Sequence, residues 1–558
     1  MQTDKKIFVA ALALCLCTPM TVTAQSVSQT WVADLGNGQY KNPVLHADYS
    51  DPDVCRMPDG SYLLTASSFA GTPGMPILHS RDLVNWRIVN YAVQRLEPEA
   101  FFAKAQNGKG IWAPSIRYHE GEYYIYWGDP DFGIYMIKTT DPFGAWSKPT
   151  LVKPGKGLID PCPLWDDGRL YLVHAYAASR AGINSMVVVN ELSADGTRVL
   201  DDAVMVFDGN DGVNHTIEGP KLYKRNGYYY IFAPAGGVST GWQLVLRSKS
   251  IYGPYEKKIV MKQGSTPVNG PHQGAWVSAD GGKDWFLHFQ NKGPYGRVLH
   301  LNPLQWKNDW PVIGTDRDGD GCGEPVLKWR KPTVNADKNT KINVETPAET
   351  DEFDTPKLGL QWEWSGNRQE GFGYNTQIGY MRMYAMTVEA DAPNLWEVPS
   401  LMLQKFPSDE FKATTKLKFT AKQTGEMAGL IVMGLDYCRL NLRREGDAFV
   451  LEQAICKDAE QRNPEMKTTI ATFKAEHLVM PGVEDNVWKE IYLRVKVDKN
   501  AQCTFAYSED GLHFKSGGKA FAARQGKWIG AKTGVFCLTP NATGNRGWSD
   551  VDWFRLTH

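Results

Sequence analysis

Long apolar runs are nearly missing from this 558-residue chain. After residue 24 no stretch reaches the 18 consecutive apolar residues that a membrane-crossing helix needs. Surplus charge is missing as well. The 61 Lys and Arg against 62 Asp and Glu leave a net charge of −1, without the basic excess that holds a protein on nucleic acid or acidic lipid. Cysteine is sparse and unpatterned: there are nine, none in a CxxC pair. Setting aside Cys15 and Cys17, seven widely spaced thiols stay, an odd number that supports no disulfide framework and fits buried side chains. What is plentiful is 19 Trp, 24 Tyr and 53 Gly, a mix suited to short strands, many turns and flat rings facing a ligand.

The first 24 residues read as an export address. Lys5 and Lys6 form a basic end, Ile7 to Cys17 an apolar core too short to span a bilayer, and Val22-Thr23-Ala24 a small-residue cleavage site. Export to the periplasm or the exterior after cleavage near Ala24 is therefore expected. Beyond it, aromatic strand-like runs recur after Gly-containing turns, marked by Tyr62, Tyr123, Leu170, Tyr229 and Trp285, at steps of 47–61 residues. Five such units predict radial repetition, a β-propeller of four-stranded blades over residues 25–327, rather than an ordinary sandwich. Residues 328–352 are polar and poor in aromatics and read as a link. Residues 353–558 resume alternation in runs such as ATTKLKFTA and KEIYLRVKVD with no helical period, which predicts a β-sandwich and an all-β chain.

Three carboxylates stand at the entries to predicted blades, each within two residues of a Pro: Asp51 in YSDPDV, Asp160 in GLIDPCP and Glu218 in TIEGPK. Alone, each reads as a turn-forming Asp or a solvated Glu. Equivalent places on different blades converge on one mouth of a propeller channel, where like charges push pKa values apart and yield one acid and one base. Hydrolysis of a glycosidic bond needs that pair.

The blocks SDPDV, GIWAPSI, GLIDP, IEGPKLY and GRVLHLNPLQWKNDWP, in this order, resemble glycoside hydrolase family 43 across about residues 38–325, and the tail resembles the concanavalin-A-like jelly roll that follows the propeller in its xylosidase-like branch. The resemblance implies a five-bladed propeller and hydrolysis with inversion. It implies Asp51 as general base, Glu218 as general acid and Asp160 as the residue that orients and tunes the acid. Phe69, Trp112, Ala113 and Arg297 are then expected to line the pocket for the terminal sugar, with Trp242 bordering an outer subsite. Relatives hold a calcium ion with a His at the propeller centre. Here Gln273 takes that place beside His272, so no cofactor is required and a structural calcium is left to contacts from Gln273 or His272 through water.

The expected partner is an arabinoxylan, arabinan or xylo-oligosaccharide, from which a terminal α-L-arabinofuranosyl or β-D-xylosyl unit is removed. Two other readings compete. A non-catalytic sugar-binding propeller would keep the aromatics and dispense with the acid. A serine esterase acting on xylan would rest on Ser239 in GVSTG, which needs a strand-to-helix elbow where the following WQLVLRS reads as strand. DRDGDG at 316–321 starts like a calcium loop but lacks its closing Glu and reads as a tight turn.

Overall fold

The computed structural model describes residues 27–334, 342–478 and 486–558. The leader expected at 1–24 and part of the link lie outside them. Five four-stranded antiparallel sheets follow one another at residues 53–93, 112–154, 158–208, 221–261 and 272–313, each paired in chain order. This is the five-bladed propeller that the aromatic spacing predicts. The first strand of each blade lines the central channel: Asp53–Arg56, Trp112–His119, Leu158–Asp166, Lys221–Arg225 and His272–Ala279. The next strands of blade 1, Tyr62–Thr65 and Gly74–Ser80, are buried at every position. Neighbouring blades cover both faces of such a strand, so its sequence is continuously apolar rather than alternating.

Both ends of the propeller segment close the ring. Gln39–Lys41 pairs antiparallel with Lys328–Arg330, so residues 328–330 of the polar stretch form part of the closure. Leu45 bridges to Leu299 on the third strand of blade 5. The Asn42 amide donates to the carbonyls of Leu301 and Val326 at 2.8 and 2.7 Å and accepts the Leu301 N–H at 2.9 Å.

From residue 350 the described chain builds two mainly antiparallel sheets, of nine and seven strands, packed over one apolar core. Their alternation is plain in Asn486–Val497, where Val487, Ile491, Leu493, Val495 and Val497 are buried. The sandwich is fastened to the propeller by main-chain and side-chain bonds. Thr72 and Trp364 exchange two backbone hydrogen bonds at 2.9 and 2.7 Å, and Ala531 N–H donates to Pro294 O at 2.7 Å. Tyr295 of the propeller is buried in the sandwich core, where its hydroxyl donates to Asp498 O and accepts the Ala501 N–H. At the same seam Glu363 sits between Lys405 and Lys532, at 3.0 and 2.8 Å. Burial pushes its carboxyl up, but the two ammonium groups prevail and hold it down to about 2.

Removal of the sandwich by ending the chain at residue 334 bares these apolar and charged surfaces and frees the loop around Tyr295. The expected outcome is a poorly soluble propeller whose kcat/KM on a nitrophenyl pentoside falls by about 10²-fold, the cost of small misplacements at a site. A soluble fragment with unchanged kinetics would show the tail to be an independent appendage.

Candidate active site

Each inner strand enters the channel through one residue in the left-handed region: Asp51 (φ 53°), Ala113 (φ 41°), Asp160 (φ 60°), Gly219 (φ 60°) and Gln273 (φ 39°). Pro follows the first four and Gly274 the fifth. Blades 2, 3 and 5 show register shifts there, at Trp112/Ser115, Ile159/Cys162 and His272/Gly274. Four of the five are not glycine, an arrangement that costs energy in an L-residue and collects at functional sites. Asp51 and Asp160 are thus equivalent, as the sequence predicts. Glu218 is not: it stands one residue earlier, with Gly219 in the left-handed place. A Cβ on Gly219 would lie 2.6 Å from Gln273 Cγ, so glycine here satisfies both the backbone and the neighbouring blade.

Asp51 is 5% exposed and held from three sides. The hydroxyls of Ser50 and Ser67 donate to its Oδ2 at 2.8 and 2.6 Å, and Arg297 Nη1 donates to Oδ1 at 3.1 Å. Ser67 Oγ also accepts the Ala113 N–H at 2.7 Å, so the blade 1 hydroxyl ties Asp51 to the blade 2 entry. Arg297 in turn donates its backbone N–H to buried Asp48 at 2.8 Å, and Asp48 also accepts the Gly530 N–H from the sandwich. Burial pushes the Asp48 carboxyl up, while Lys405 and these N–H groups pull it down.

Asp160 is buried and accepts the Gly219 N–H at 2.7 Å. Burial and the charge of Glu218 push its carboxyl well above the usual range, and Asp51 adds to the rise; the Gly219 N–H and the Lys221 ammonium oppose it. The three carboxylates therefore share one electrostatic field. Glu218 is the accessible member, its side chain 32% exposed, and its Oε1 lies 2.9 Å from Nε2 of fully buried His272.

Aromatic rings wall this mouth. Phe69 packs edge-on to Trp112 at 6.0 Å, and Trp112 packs edge-on to Trp528 of the sandwich at 6.3 Å. The Arg180 guanidinium lies 5.7 Å from the Trp112 ring and pairs with Asp131. Trp242 begins the third strand of blade 4, half-buried, its ring against Gly236 and edge-on to His215 at 6.3 Å. Sequence reasoning missed Ser67, Arg180, Trp528 and the His272–Glu218 contact. For Trp528 a signal existed: an aromatic in a Gly-bounded turn, QGKWIG, in the tail.

In the channel the buried His272 Nδ1, Gln273 Nε2 and Asp53 Oδ1 have no hydrogen-bond partner, but other groups crowd the same space. His272 spends Nε2 on Glu218, the Gln273 side chain presses on Gly219, and the nearby Lys221 and Arg117 are cationic. Among the described residues, one group of three His, Cys, Asp or Glu side chains lies close enough to share an ion: Asp316, Asp318 and Asp320. All three cap their own turn, Asp316 accepting the Gly319 N–H, Asp318 the Asp320 N–H and Asp320 the Cys322 N–H, and Asp316 also pairs with Lys307. Ser239 lies in a turn leading into strand Trp242–Ser248, without a nucleophile elbow.

Comparison with known proteins agrees with this geometry. Glycosyl hydrolases family 43 matches residues 40–311, and the beta xylosidase C-terminal concanavalin A-like domain matches residues 350–557. A Xylanibacter ruminicola protein whose name includes beta-xylosidase is 37% identical over 510 residues, covering 91% of this chain and 87% of the relative. A beta-xylosidase of Formosa agariphila is 31% identical, covering 96% and 93%. A non-reducing end alpha-L-arabinofuranosidase of Bacteroides ovatus is 26% identical, covering 94% and 96%. The crystal structure of a xylan beta-1,4-xylosidase from Bacillus halodurans superposes with a TM-score of 0.77 at 23% identity, over 93% of this chain and all of that one. Profile, relatives and fold coincide over nearly the whole length, and the chain belongs to glycosyl hydrolase family 43 as a glycoside hydrolase of its xylosidase and arabinofuranosidase group.

Proposed function

We propose that the protein is an exported, exo-acting, inverting pentosidase that removes terminal β-D-xylosyl or α-L-arabinofuranosyl units from plant polysaccharide fragments. The observation that carries the chemistry is the trio of Asp51, Asp160 and Glu218 at one channel mouth, unlike in environment. Glu218, partly exposed and held at one oxygen by His272, is placed to give a proton to the leaving oxygen. Asp51, fixed by two hydroxyls and Arg297, is placed to take a proton from the attacking water. The two belong to different blades, which favours the wider carboxyl spacing of about 6.5–9.5 Å that an inverting reaction needs for that water. Trp112, Phe69 and Trp528 offer faces to sugar C–H groups, and Arg297 offers donors to hydroxyls. The names of the 37% and 31% identical relatives favour the xyloside as first substrate, and that of the Bacteroides ovatus relative supports the arabinofuranoside as second. Export rests on the leader and its cleavage site at Ala24.

Glu218→Gln should lower turnover of nitrophenyl β-D-xylopyranoside by roughly 10²–10⁴, the usual worth of general acid catalysis. A dinitrophenyl leaving group, which needs little protonation, should lose far less. Equal losses on both substrates would reassign the acid. Proton NMR of the first sugar released by the unaltered protein should show α-xylose from the β-xyloside. Retained configuration would overturn the assignment of Asp51 as base.

Asp160 supplies a stability test. Its folded pKa is raised, so the folded state takes up a proton relative to the unfolded one. The associated stability is complete below the unfolded value of about 4 and is lost as pH rises toward the folded value. Asp160→Asn has no such loss. Its Tm relative to the parent should therefore climb between pH 4 and pH 7 while activity falls; a Tm difference independent of pH would show that Asp160 ionises normally.

A further inference from the structure

Two residues beyond each left-handed entry the inner strands carry Asp53, Ser115, Cys162, Lys221 and Ala275. Four of these five bond across the channel. Lys221 is 0% exposed, and its Nζ donates to Ser115 Oγ at 2.7 Å and to Pro114 O at 3.1 Å, reaching from blade 4 to blade 2 past the intervening blade. Arg117 of blade 2 donates to Asp53 of blade 1 at 2.5 Å and to Cys162 Sγ of blade 3 at 2.9 Å. A lysine this deeply buried is rare unless a nearby charge needs it. Both of its hydrogen-bond acceptors are neutral, and the carboxylate within its electrostatic reach is Asp160, whose Oδ2 is bonded to Gly219 two residues upstream on the same chain.

We propose that Lys221 is the built-in cation of the channel, a positioning residue that supplies positive charge there without a bound metal and offsets the repulsion among the carboxylates at the mouth. The proposal rests on Asp51 as base and Glu218 as acid. The charged or titratable groups linked to Asp160 and to the same channel are Glu218 and Asp51 at Asp160, His272 at Glu218, Arg297 at Asp51, and Arg117 with Asp53, Cys162 and Tyr223. Deleting one positive charge from this set makes every carboxylate harder to ionise. The base then needs a higher pH to lose its proton, and the acid keeps its proton to a higher pH.

The test is the pH profile of kcat/KM on nitrophenyl β-D-xylopyranoside for the parent, Lys221→Met and Lys221→Arg. In Lys221→Met both limbs should move to higher pH, by about half a unit to one unit. In Lys221→Arg they should stay in place whatever the height of the profile. A lower profile with unmoved limbs in Lys221→Met would reduce Lys221 to a structural strut and overturn the proposal. A parent profile lacking two limbs would instead remove the acid–base assignment beneath it. If Lys221→Met does not fold, chelation of the unaltered protein decides. Treatment with EDTA should leave kcat/KM and Tm unchanged, and a loss restored by calcium would overturn the proposal.

Discussion

Every inner strand reaches the channel through a backbone kink in which one residue has positive φ, and the rest of the site hangs on that repeated kink. It interrupts the alternation of the strand, so that residues at and just before the kink stand at the mouth and residues two positions later stand in the channel below. At the kink stand Asp51, Asp160 and Gln273; one position earlier stand Glu218 and His272; two positions later stand Asp53 and Lys221. One local conformation, repeated around a fivefold ring, thereby produces two layers: Asp51, Asp160 and Glu218 at the entries, and the buried Asp53 and Lys221 below them. The strain of four non-glycine residues in this region is borne by the blades packed on either side of each strand.

Much of this was legible in the chain itself. Recurrent aromatic runs after Gly-containing turns marked the blades, since each blade needs a buried second strand and a tight entry. Pro within two residues of Asp51, Asp160 and Glu218 marked the channel entries, because Pro after the kink excludes the ordinary helical continuation. The displacement of Glu218 by one residue was not legible. It follows from Gly219 taking the strained conformation, and a Gly after Glu looks like any turn. Trp528 offered a Gly-bounded aromatic turn as its signal, but Gly530 was out of reach for another reason: its importance depends on how the sandwich docks against Pro294 and Asp48, a contact between segments more than 200 residues apart. Ser67 likewise has no signature, as its role comes from facing Asp51 across two strands.

The sandwich reaches the rim of the channel mouth. It places Trp528 beside Trp112, and its Gly530 N–H helps hold Asp48, which holds the backbone of Arg297, which holds Asp51. The buried Glu363 with Lys405 and Lys532, all three from the sandwich, lies at the seam, where Lys405 also stands 5.7 Å from the Tyr49 ring of the propeller. Asp51 is therefore connected through three successive bonds to the second domain.

Closure of the ring by Leu45 on Leu299 and by Gln39–Lys41 on Lys328–Arg330 also sets the order of assembly. The N-terminal segment of the propeller leaves the ribosome first yet finds its partners only after more than 250 further residues have been made. At about 5–20 residues per second, that is an interval of roughly a quarter to most of a minute. Through that interval blade 1 has one flank uncovered, and its continuously apolar strands have nothing to pack against on that side. The nascent chain thus stays open for much of its synthesis, and arrival of the last blade and the residues just beyond it converts a row of sheets into a closed molecule.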